Sequence, residues 1–287
     1  MGPLLRMLAV AGALFVCAWP GAARAGDMDL ALSRLRFASR ADVCVGAGPG
    51  VYCPDDEGFQ RLASELAVAL APAVTQGAAT IGPAGFYVGI SSAFTLISSD
   101  RRYWQRGTQG PSASIDAVNS SPASVLTWNR VELRKGLPFG FEVGAIVGQG
   151  WGTSMWVLGG QLRWALLEGF RTGLGAFPDV AVRAALQTSV GSSQISLQTH
   201  ALDLTLSKPF VIARRFRLTP LLGTQALFVR AQSGRIDLTP DVDAWAACMP
   251  QTPSASGGEP TCAGDESYFG NDIVFTAVSH TRLRMFL

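Results

Sequence analysis

The chain has 287 residues, a formal net charge of +2, a mean hydropathy of +0.25 and only 15% charged residues. A soluble domain usually has about 25% charged residues, so the chain is unusually apolar. Its near-neutral charge excludes a general preference for nucleic acid. No stretch after the amino terminus reaches the roughly 18 consecutive apolar residues of a spanning helix, which argues against a helical membrane protein.

Residues 1–25 have the features of a secretory signal peptide. Arg6 supplies a positive start, and Leu8–Trp19 is an apolar run that is too short to span a bilayer. Ala23-Arg24-Ala25 fits the small-x-small pattern of signal cleavage sites, so we expect the mature protein to begin at Gly26. The sequence therefore predicts export.

Residues 26–83 differ from the rest of the chain and are predicted to form a small periplasmic segment. The glycine-rich stretch between Cys44 and Cys53 is interpreted as a disulfide-closed turn, because its spacing matches no phosphate-binding motif. An amphipathic helix should follow, since acidic residues at 55–57 stand at its positive end and Pro72 at its far end. Its apolar residues at helical spacing are Phe59, Leu62, Ala63, Leu66, Ala69 and Leu70. We expect this segment to cap a β-barrel, and a plug inside the barrel is the alternative.

Four cysteines remain after the predicted cleavage, in two sequence-local pairs. They are Cys44, Cys53, Cys248 and Cys262. An even number of cysteines in an exported chain predicts disulfides, and local pairing is the simplest of three connectivities. Zinc binding is the alternative, but the chain has two histidines and no C-x-x-C spacing. A lipoprotein anchor at Cys17 is disfavoured, because Val16 stands where that motif requires a small residue.

From residue 84 to residue 287 the hydrophobic period changes to two, which is typical of β-strands. Eight candidate strands follow: Gly85–Ser98, Val125–Arg134, Phe139–Val147, Trp156–Leu166, Val180–Gln187, Gln194–Leu206, Phe216–Phe228 and Asn271–Leu287. Ten strands would result if 101–106 or 235–238 joined the sheet. The runs are long for a secreted β-sandwich, which is the alternative fold. The pattern therefore predicts an all-β protein, an antiparallel transmembrane β-barrel of eight strands.

Aromatic residues fall on the predicted outer faces, several of them near strand ends, as in the interfacial girdles of barrels. They are Phe86, Phe139, Phe141, Trp156, Trp164, Phe216, Phe228 and Phe275. Two strands are irregular. In the sixth, Ile195 and Leu197 have the opposite phase to Leu202–Leu206, which predicts either a bulge or an upper part of the strand that stands clear of the membrane. In the seventh, Pro220 predicts a local defect.

The connections also follow the barrel pattern of short periplasmic turns and longer outer loops. The stretches 99–123 and 231–270 are predicted to be outer loops, and Lys135–Pro138 a periplasmic turn. One connection disagrees, because 168–177 should be a periplasmic turn but is longer than the outer loop near 148–153.

The last strand, 271–287, alternates along its whole length and ends with Phe286 next to the final residue. A secreted chain of this kind resembles a bacterial outer-membrane β-barrel, whose closing strand carries the assembly signal and prefers an aromatic at the very end. Arg134–Phe141 (RKGLPFGF), Ala165–Gly173 (ALLEGFRTG) and Leu206–Phe210 (LSKPF) also resemble predicted outer-membrane proteins of myxobacterial type, over roughly 84–287. The resemblance implies a location in the outer membrane, contact with its lipid and lipopolysaccharide, and recognition by the barrel-assembly machinery. It implies no activity.

Ten charged side chains are predicted to line the barrel interior, with a positive excess. They are Arg130, Glu132, Arg134, Glu142, Arg163, Arg183, Asp203, Arg217, Arg282 and Arg284. A lining of this kind could attract anions into a channel. The other interpretation is an internal salt-bridge network, since an eight-stranded barrel is just wide enough for side chains to fill it. We favour the network, because the planar fork of arginine suits paired interior sites.

Enzymatic chemistry is not predicted. His200 and Asp203 differ by three residues and should point to opposite faces of one strand, and Ser279 and His280 also diverge. Acidic residues near the last cysteines could hold calcium, although a solvated acidic loop is the expected alternative. They are Asp237, Asp241, Asp243, Asp265, Glu266 and Asp272. We therefore expect no catalytic residue, no cofactor and no metal site.

The sequence as a whole predicts an integral outer-membrane barrel with a structural or surface-interaction role, which presents a disulfide-stiffened outer loop. A narrow channel for small anionic solutes is the first alternative, and a membrane-embedded hydrolase or acyltransferase is the second. A protein partner outside the cell or in the periplasm is compatible with this prediction, but the sequence does not identify one.

Overall fold

A computed structural model describes residues 26–38, 52–112, 114–168, 177–212, 216–238 and 272–287. The predicted signal peptide lies outside these residues, as do Cys17, Cys44, Cys248 and Cys262. Most of the predicted turn at 168–177 and of the last predicted outer loop also lies outside them. Within the described residues, no helix is long and apolar enough to cross a membrane.

Fourteen strands and two α-helices are described. The strands are β1 (Arg36–Ala38), β2 (Tyr52–Pro54), β3 (Phe86–Leu96), β4 (Val125–Gly136), β5 (Phe141–Gly150), β6 (Trp156–Leu167), β7 (Asp179–Val190), β8 (Ile195–Ser207), β9 (Phe210–Ile212), β10 (Phe216–Leu218), β11 (Leu221–Ser233), β12 (Ile236–Asp237), β13 (Asp272–Ile273) and β14 (Val278–Phe286). The helices are α1 (Asp56–Leu70) and α2 (Arg102–Gly107), with short 3₁₀ turns at Leu32–Arg34 and Pro138–Gly140.

Eight of these strands form one antiparallel sheet in the order β14-β11-β8-β7-β6-β5-β4-β3. The predicted all-β class and the eight main strands are confirmed. The eight strands lie in the sheet in the same order as along the chain. Each of them pairs antiparallel with the next main strand. No ladder between β3 and β14 is present among the described residues, so the sheet has two edges.

The pleat gives the sheet two different faces, because successive side chains point to opposite sides of a strand. On the outer face large apolar side chains are exposed, among them Ile90 at 82%, Phe94 at 71% and Leu283 at 78%. On the inner face the alternate residues are buried from β4 to β11. The outward and inward sets predicted for these strands therefore lie on separate faces.

The bulge predicted in the sixth strand is wrong. β8 pairs without interruption with both β7 and β11, and its burial alternates from Ile195 to Ser207. Ile195 and Leu197 lie on the same inner face as Asp203. The phase change in the sequence arises because the inner face itself changes from apolar to polar along the strand. A bulge is present elsewhere, between Ala165 and Leu167 on β6.

The terminal strand is interrupted. β14 begins only at Val278, while β13 pairs with β12 in a separate two-stranded sheet. Residues 274–277 between them are not in a strand. Phe275, predicted to face outward, is buried, and its ring stacks on that of Phe59 with centroids 5.0 Å apart. The break in the strand turns this aromatic inward.

The seventh predicted strand is also divided. Its first part, β10, pairs with β9 in a hairpin of its own, and β11 begins directly after Pro220. Proline cannot donate to a ladder, which accounts for the division. Neither ten-strand alternative applies, since residues 102–107 form α2 and Ile236–Asp237 pairs outside the main sheet.

The segment before the sheet packs against the inner face of the sheet. Helix α1 contacts inner residues near the end that carries the connections 97–124, 151–155, 191–194 and 234–277. The chain then runs back along the inner face to the opposite end, where β3 begins. The described part of this segment therefore lies along the inner face of the sheet and extends from one end of it to the other.

Candidate functional site

The chain between α1 and the exit from the sheet, residues 71–81, is called the strap here. Pro72 cannot continue a helix, and the strap forms neither helix nor strand. Its backbone polar groups therefore lack the partners that secondary structure supplies, and they need other partners where they are buried. The inner face of the sheet supplies these partners.

Arginines donate to backbone carbonyls of the strap and of the last turn of α1. Arg130 donates from Nη2 to the Ala69 carbonyl at 3.1 Å and from Nη1 to that of Ala71 at 3.4 Å. Arg183 donates to the Ala73 carbonyl at 2.8 Å. Further along, Arg163 donates to the Gly77 carbonyl. Arginine is well suited to this role, because it has five donors in a rigid fork.

One carbonyl of the strap, that of Pro72, is shared among three strands. It accepts from Gln225 on β11 at 3.0 Å, and from Arg183 and Arg284 at 3.4 Å each. Arg284 also donates from Nε to the Gln225 amide oxygen at 2.5 Å. The Pro72 carbonyl thereby connects the start of the strap to β7, β11 and β14.

Buried carboxylates neutralise part of this positive charge. The Nε of Arg183 lies 2.5 Å from Oδ2 of Asp203, and Nη1 of Arg134 lies 3.0 Å from Oε1 of Glu142. Arg134 is also 3.4 Å from Glu132. Since a buried charge is costly without a partner, the carboxylates allow the arginines to remain charged inside the protein.

Two buried glutamates, Glu142 and Glu168, also bind the strap directly. Glu142 accepts from the Gln76 amide and from the Ile81 backbone N–H, each at 3.2 Å. Glu168 accepts from the backbone N–H and the hydroxyl of Thr80 at 2.7 and 2.6 Å. The polar network is therefore shared between the sheet and the strap.

The predicted interior residues fall into three groups. Six are buried on the inner face: Arg130, Arg134, Glu142, Arg163, Arg183 and Asp203. Glu132 and Arg284 are half-buried beside them, whereas Arg282 is exposed. Nothing is described of the Arg217 side chain. The sequence reasoning missed the strap, because its small residues carry no motif and its function lies in backbone carbonyls.

The other half of the inner face is apolar and binds α1. Buried side chains from five strands pack there around the helix: Leu126, Trp128, Val157, Ile195, Leu197, Leu227, Val229, Ala231 and Val278. From the helix, Phe59 and Leu62 are fully buried. The predicted helical apolar set is therefore the contact face of α1.

A polar cluster joins α1 to the first long connection. Glu65 accepts from the Ser98 backbone N–H at 3.0 Å, the Tyr103 hydroxyl at 2.6 Å and the Trp104 indole N–H at 2.8 Å. Burial by itself raises the pKa of Glu65, but these hydrogen bonds outweigh it and hold the pKa below its usual value. Burial and the nearby carboxylate raise the pKa of Tyr103.

Residues 26–38 contact all four connections at this end of the sheet. Asp29 accepts from Ser154, and Leu32 donates its N–H to the Gln194 amide oxygen at 2.6 Å. Arg34 donates to the carbonyls of Thr108, Gln109 and Ser112, and Arg36 to that of Leu238. The amino-terminal segment thus connects loops that are distant in sequence.

The candidate chemical groups are not brought together. His200 is exposed, and Asp203 is buried on the opposite face of β8. Within the described ranges, no group of three His, Cys, Asp or Glu side chains could hold a metal ion. Cys53 is disulfide-bonded, and its partner lies outside the described residues. The pairing predicted with Cys44 therefore stays a prediction.

No family model, no curated protein and no solved structure matches this chain. The resemblance to outer-membrane proteins therefore depends on the sequence features alone.

Proposed function

We propose that this protein is an integral outer-membrane β-barrel whose interior is filled by its own amino-terminal segment. Its role is structural or surface-interacting, and it presents the four connections that residues 26–38 bind together. The proposal depends above all on one observation. The buried arginines of the inner face donate to the backbone of the strap.

The outer face of the sheet supports a membrane location. Each of the eight main strands exposes at least one leucine, valine, isoleucine or phenylalanine side chain on the outer face. Soluble monomers rarely expose so large a contiguous apolar surface. Lipid-facing strands have this pattern, because only every second residue contacts the hydrocarbon.

Aromatic side chains at one end of the sheet support the same location. Five exposed phenylalanines lie where β3 begins and where the three connections of that end run: Phe86, Phe139, Phe177, Phe210 and Phe216. Phe139 is 89% exposed and adopts a positive φ of 61°, which non-glycine residues rarely do. Such a belt corresponds to an interfacial girdle, and β3 begins and β14 ends at this level.

The proposal requires β3 and β14 to meet in the membrane, because unpaired strand edges are costly in hydrocarbon. Hydrogen–deuterium exchange in micelles tests this requirement directly. We expect the backbone amides of Phe86–Leu96 and Val278–Phe286 to be as protected as those of Ile195–Ser207. Rapid exchange confined to the two edge strands would contradict closure.

The interior distinguishes a filled barrel from a channel. An anion-conducting barrel would leave its arginines facing water, whereas here each buried arginine has carboxylate or carbonyl partners. We therefore propose the filled barrel over the narrow channel. Arg163 and Arg183 would then stabilise the fold and would not select ions.

Two measurements on the purified protein test the proposal together. An unboiled sample from the outer-membrane fraction should migrate differently from a boiled one, because a closed barrel resists detergent until it is heated. In planar bilayers the same sample should show no steady conductance. No mobility shift and recovery in the soluble fraction would reject the barrel, whereas stable conductance altered by Arg183→Gln would favour the channel.

A further inference from the structure

Gly26, Thr153 and Ser154 form a compact site around the carboxylate of Asp29. Asp29 is only 8% exposed. Its Oδ1 accepts from the Ser154 N–H at 2.5 Å and from the hydroxyls of Thr153 and Ser154 at 2.9 Å each. Its Oδ2 accepts from the Gly26 nitrogen at 2.8 Å. Among the described residues no cationic side chain forms a salt bridge with Asp29.

A buried carboxylate normally has a cationic partner, and the sequence indicates one. Hydrolysis of the bond after Ala23-Arg24-Ala25 adds water, which leaves a carboxylate on Ala25 and an α-amino group on Gly26. An α-amino group has a pKa near 8 and is charged at neutral pH. We propose that the Gly26 α-ammonium released by signal cleavage is the ion-pair partner of Asp29. Processing thereby locks the amino-terminal segment onto the connection 151–155.

The packing around Gly26 fits a fixed terminus. A Cβ on this residue would collide with the Gly152 carbonyl, so no other amino acid fits without a shift. The Gly26 carbonyl accepts from the Asp29 N–H at 2.9 Å, and the Met28 N–H donates to the Gly152 carbonyl at 2.9 Å. Before cleavage the Gly26 nitrogen is a neutral amide. Cleavage therefore adds a positive charge to a residue that these contacts already hold in place.

The charged groups near Gly26 do not compete with its α-ammonium for Asp29. The connection 151–155 contains no titratable side chain. None of the other charged groups that the structure describes on the packed elements forms an ion pair with Asp29: Asp27, Arg34, Arg36, Asp100, Arg101, Arg102, Arg106 and Asp116. Tyr103 donates its hydroxyl to Glu65 and not to Asp29, and burial together with that carboxylate raises its pKa.

The test compares the mature chain with its α-acetylated form in unfolding experiments from pH 7 to pH 10. A nearby carboxylate raises the pKa of an amine. The stabilisation is therefore complete below the unfolded pKa of about 8 and is lost as the pH rises through the higher folded pKa. We therefore expect the unfolding midpoint of the free-amine protein to decrease as the pH rises through this range. The acetylated protein should already unfold more easily at pH 7 and should lack this step.

Two variants complete the experiment. Asp29→Asn keeps the shape of the site and should abolish the step, whereas Asp27→Asn, on an exposed neighbour, should keep it. Mass spectrometry of the exported protein should give Gly26 as its first residue. A different first residue, or equal pH profiles of the free and acetylated chains, would overturn the proposal. Because the test measures only processing and stability, it can fail while the barrel stands, and the barrel can fail without it.

Discussion

The two halves of the inner face differ in chemistry although they lie on the same strands. One half is apolar and binds α1, and the other is charged and binds the strap. The difference follows from the backbone that each half covers. A helix satisfies most of its N–H and C=O groups internally, so it needs only apolar contact. An extended strap does not, so it needs donors and acceptors.

This comparison explains why the inner face of the sheet can contain many buried arginines. Donors placed opposite backbone carbonyls replace the water that would otherwise solvate them. Substitutions in the two halves should therefore reduce the stability of the protein for different reasons and by different amounts.

The charged half should be most sensitive to loss of a carboxylate. Asp203→Ala leaves the buried Arg183 guanidinium without the anion that lies 2.5 Å from its Nε. Breaking one partner of a buried pair typically costs about 3–5 kcal/mol. Urea unfolding in micelles, followed by tryptophan fluorescence, measures the loss.

The double variant Arg183→Met/Asp203→Leu sharpens this prediction. It removes both charges, so it should recover part of the stability lost in Asp203→Ala. Recovery should be incomplete, because the Ala73 carbonyl loses its donor as well. Full recovery would show that the strap does not depend on Arg183.

The apolar half should respond to lost volume. Leu227 on β11 is fully buried in the cluster around α1, and Leu→Ala changes at such sites cost about 2–5 kcal/mol. Leu222→Ala, on the exposed face of the same strand, is the matched control and should cost much less in micelles. Similar losses for the two variants would argue against a packed helix inside the sheet.

The Glu65 cluster should add a pH-dependent contribution. The pKa of Glu65 is lowered in the folded protein. Its stabilisation is therefore complete above the unfolded pKa of about 4.3 and is lost as the pH falls through the folded pKa. Glu65→Gln should destabilise the protein at pH 7 by about 1–3 kcal/mol, since three donors lose their charged acceptor.

The acid limb of the unfolding curve gives the control for this prediction. Wild-type protein should lose more stability below pH 4 than Glu65→Gln does, so the two curves should converge. Parallel curves would mean that other carboxylates dominate acid unfolding.

The sequence was sufficient for the strands and their faces, because a period of two follows directly from the pleat. It placed Arg130, Arg183 and Asp203 on one face correctly. It failed at Phe275, since alternation alone does not reveal where a strand is interrupted. It also failed at Ile195 and Leu197. The inner face of β8 changes from apolar to polar along the strand, and in the sequence this change resembled a shift in the phase of the strand.

The strap could not be predicted, for a physical reason. Residues 71–81 act through carbonyl oxygens, and every residue type has one. Only the unusual number of inward arginines hinted that acceptors were needed, and the carboxylates available in sequence were too few to account for them. An excess of inward-facing donors on a predicted sheet therefore indicates a backbone segment that lies against the same face.

The smallest predicted effect tests the explanation for the apolar half. Asp55 caps α1, and its Oδ1 accepts from the Gly58 N–H at 2.8 Å. If the helix can lie on an apolar surface because its backbone is satisfied, removing this cap should leave a donor unpaired and cost about 1 kcal/mol. Asp55→Ala is measured by the same urea unfolding.

Glu57→Ala is its control, because Glu57 forms an exposed pair with Arg61 on the same helix, and such pairs contribute only about 0.3–0.5 kcal/mol. A loss for Asp55→Ala no larger than that of Glu57→Ala would mean that water reaches the amino end of α1. The apolar half would then depend on packing alone, and the contrast with the strap would lie in the side chains and not in the backbone that they cover.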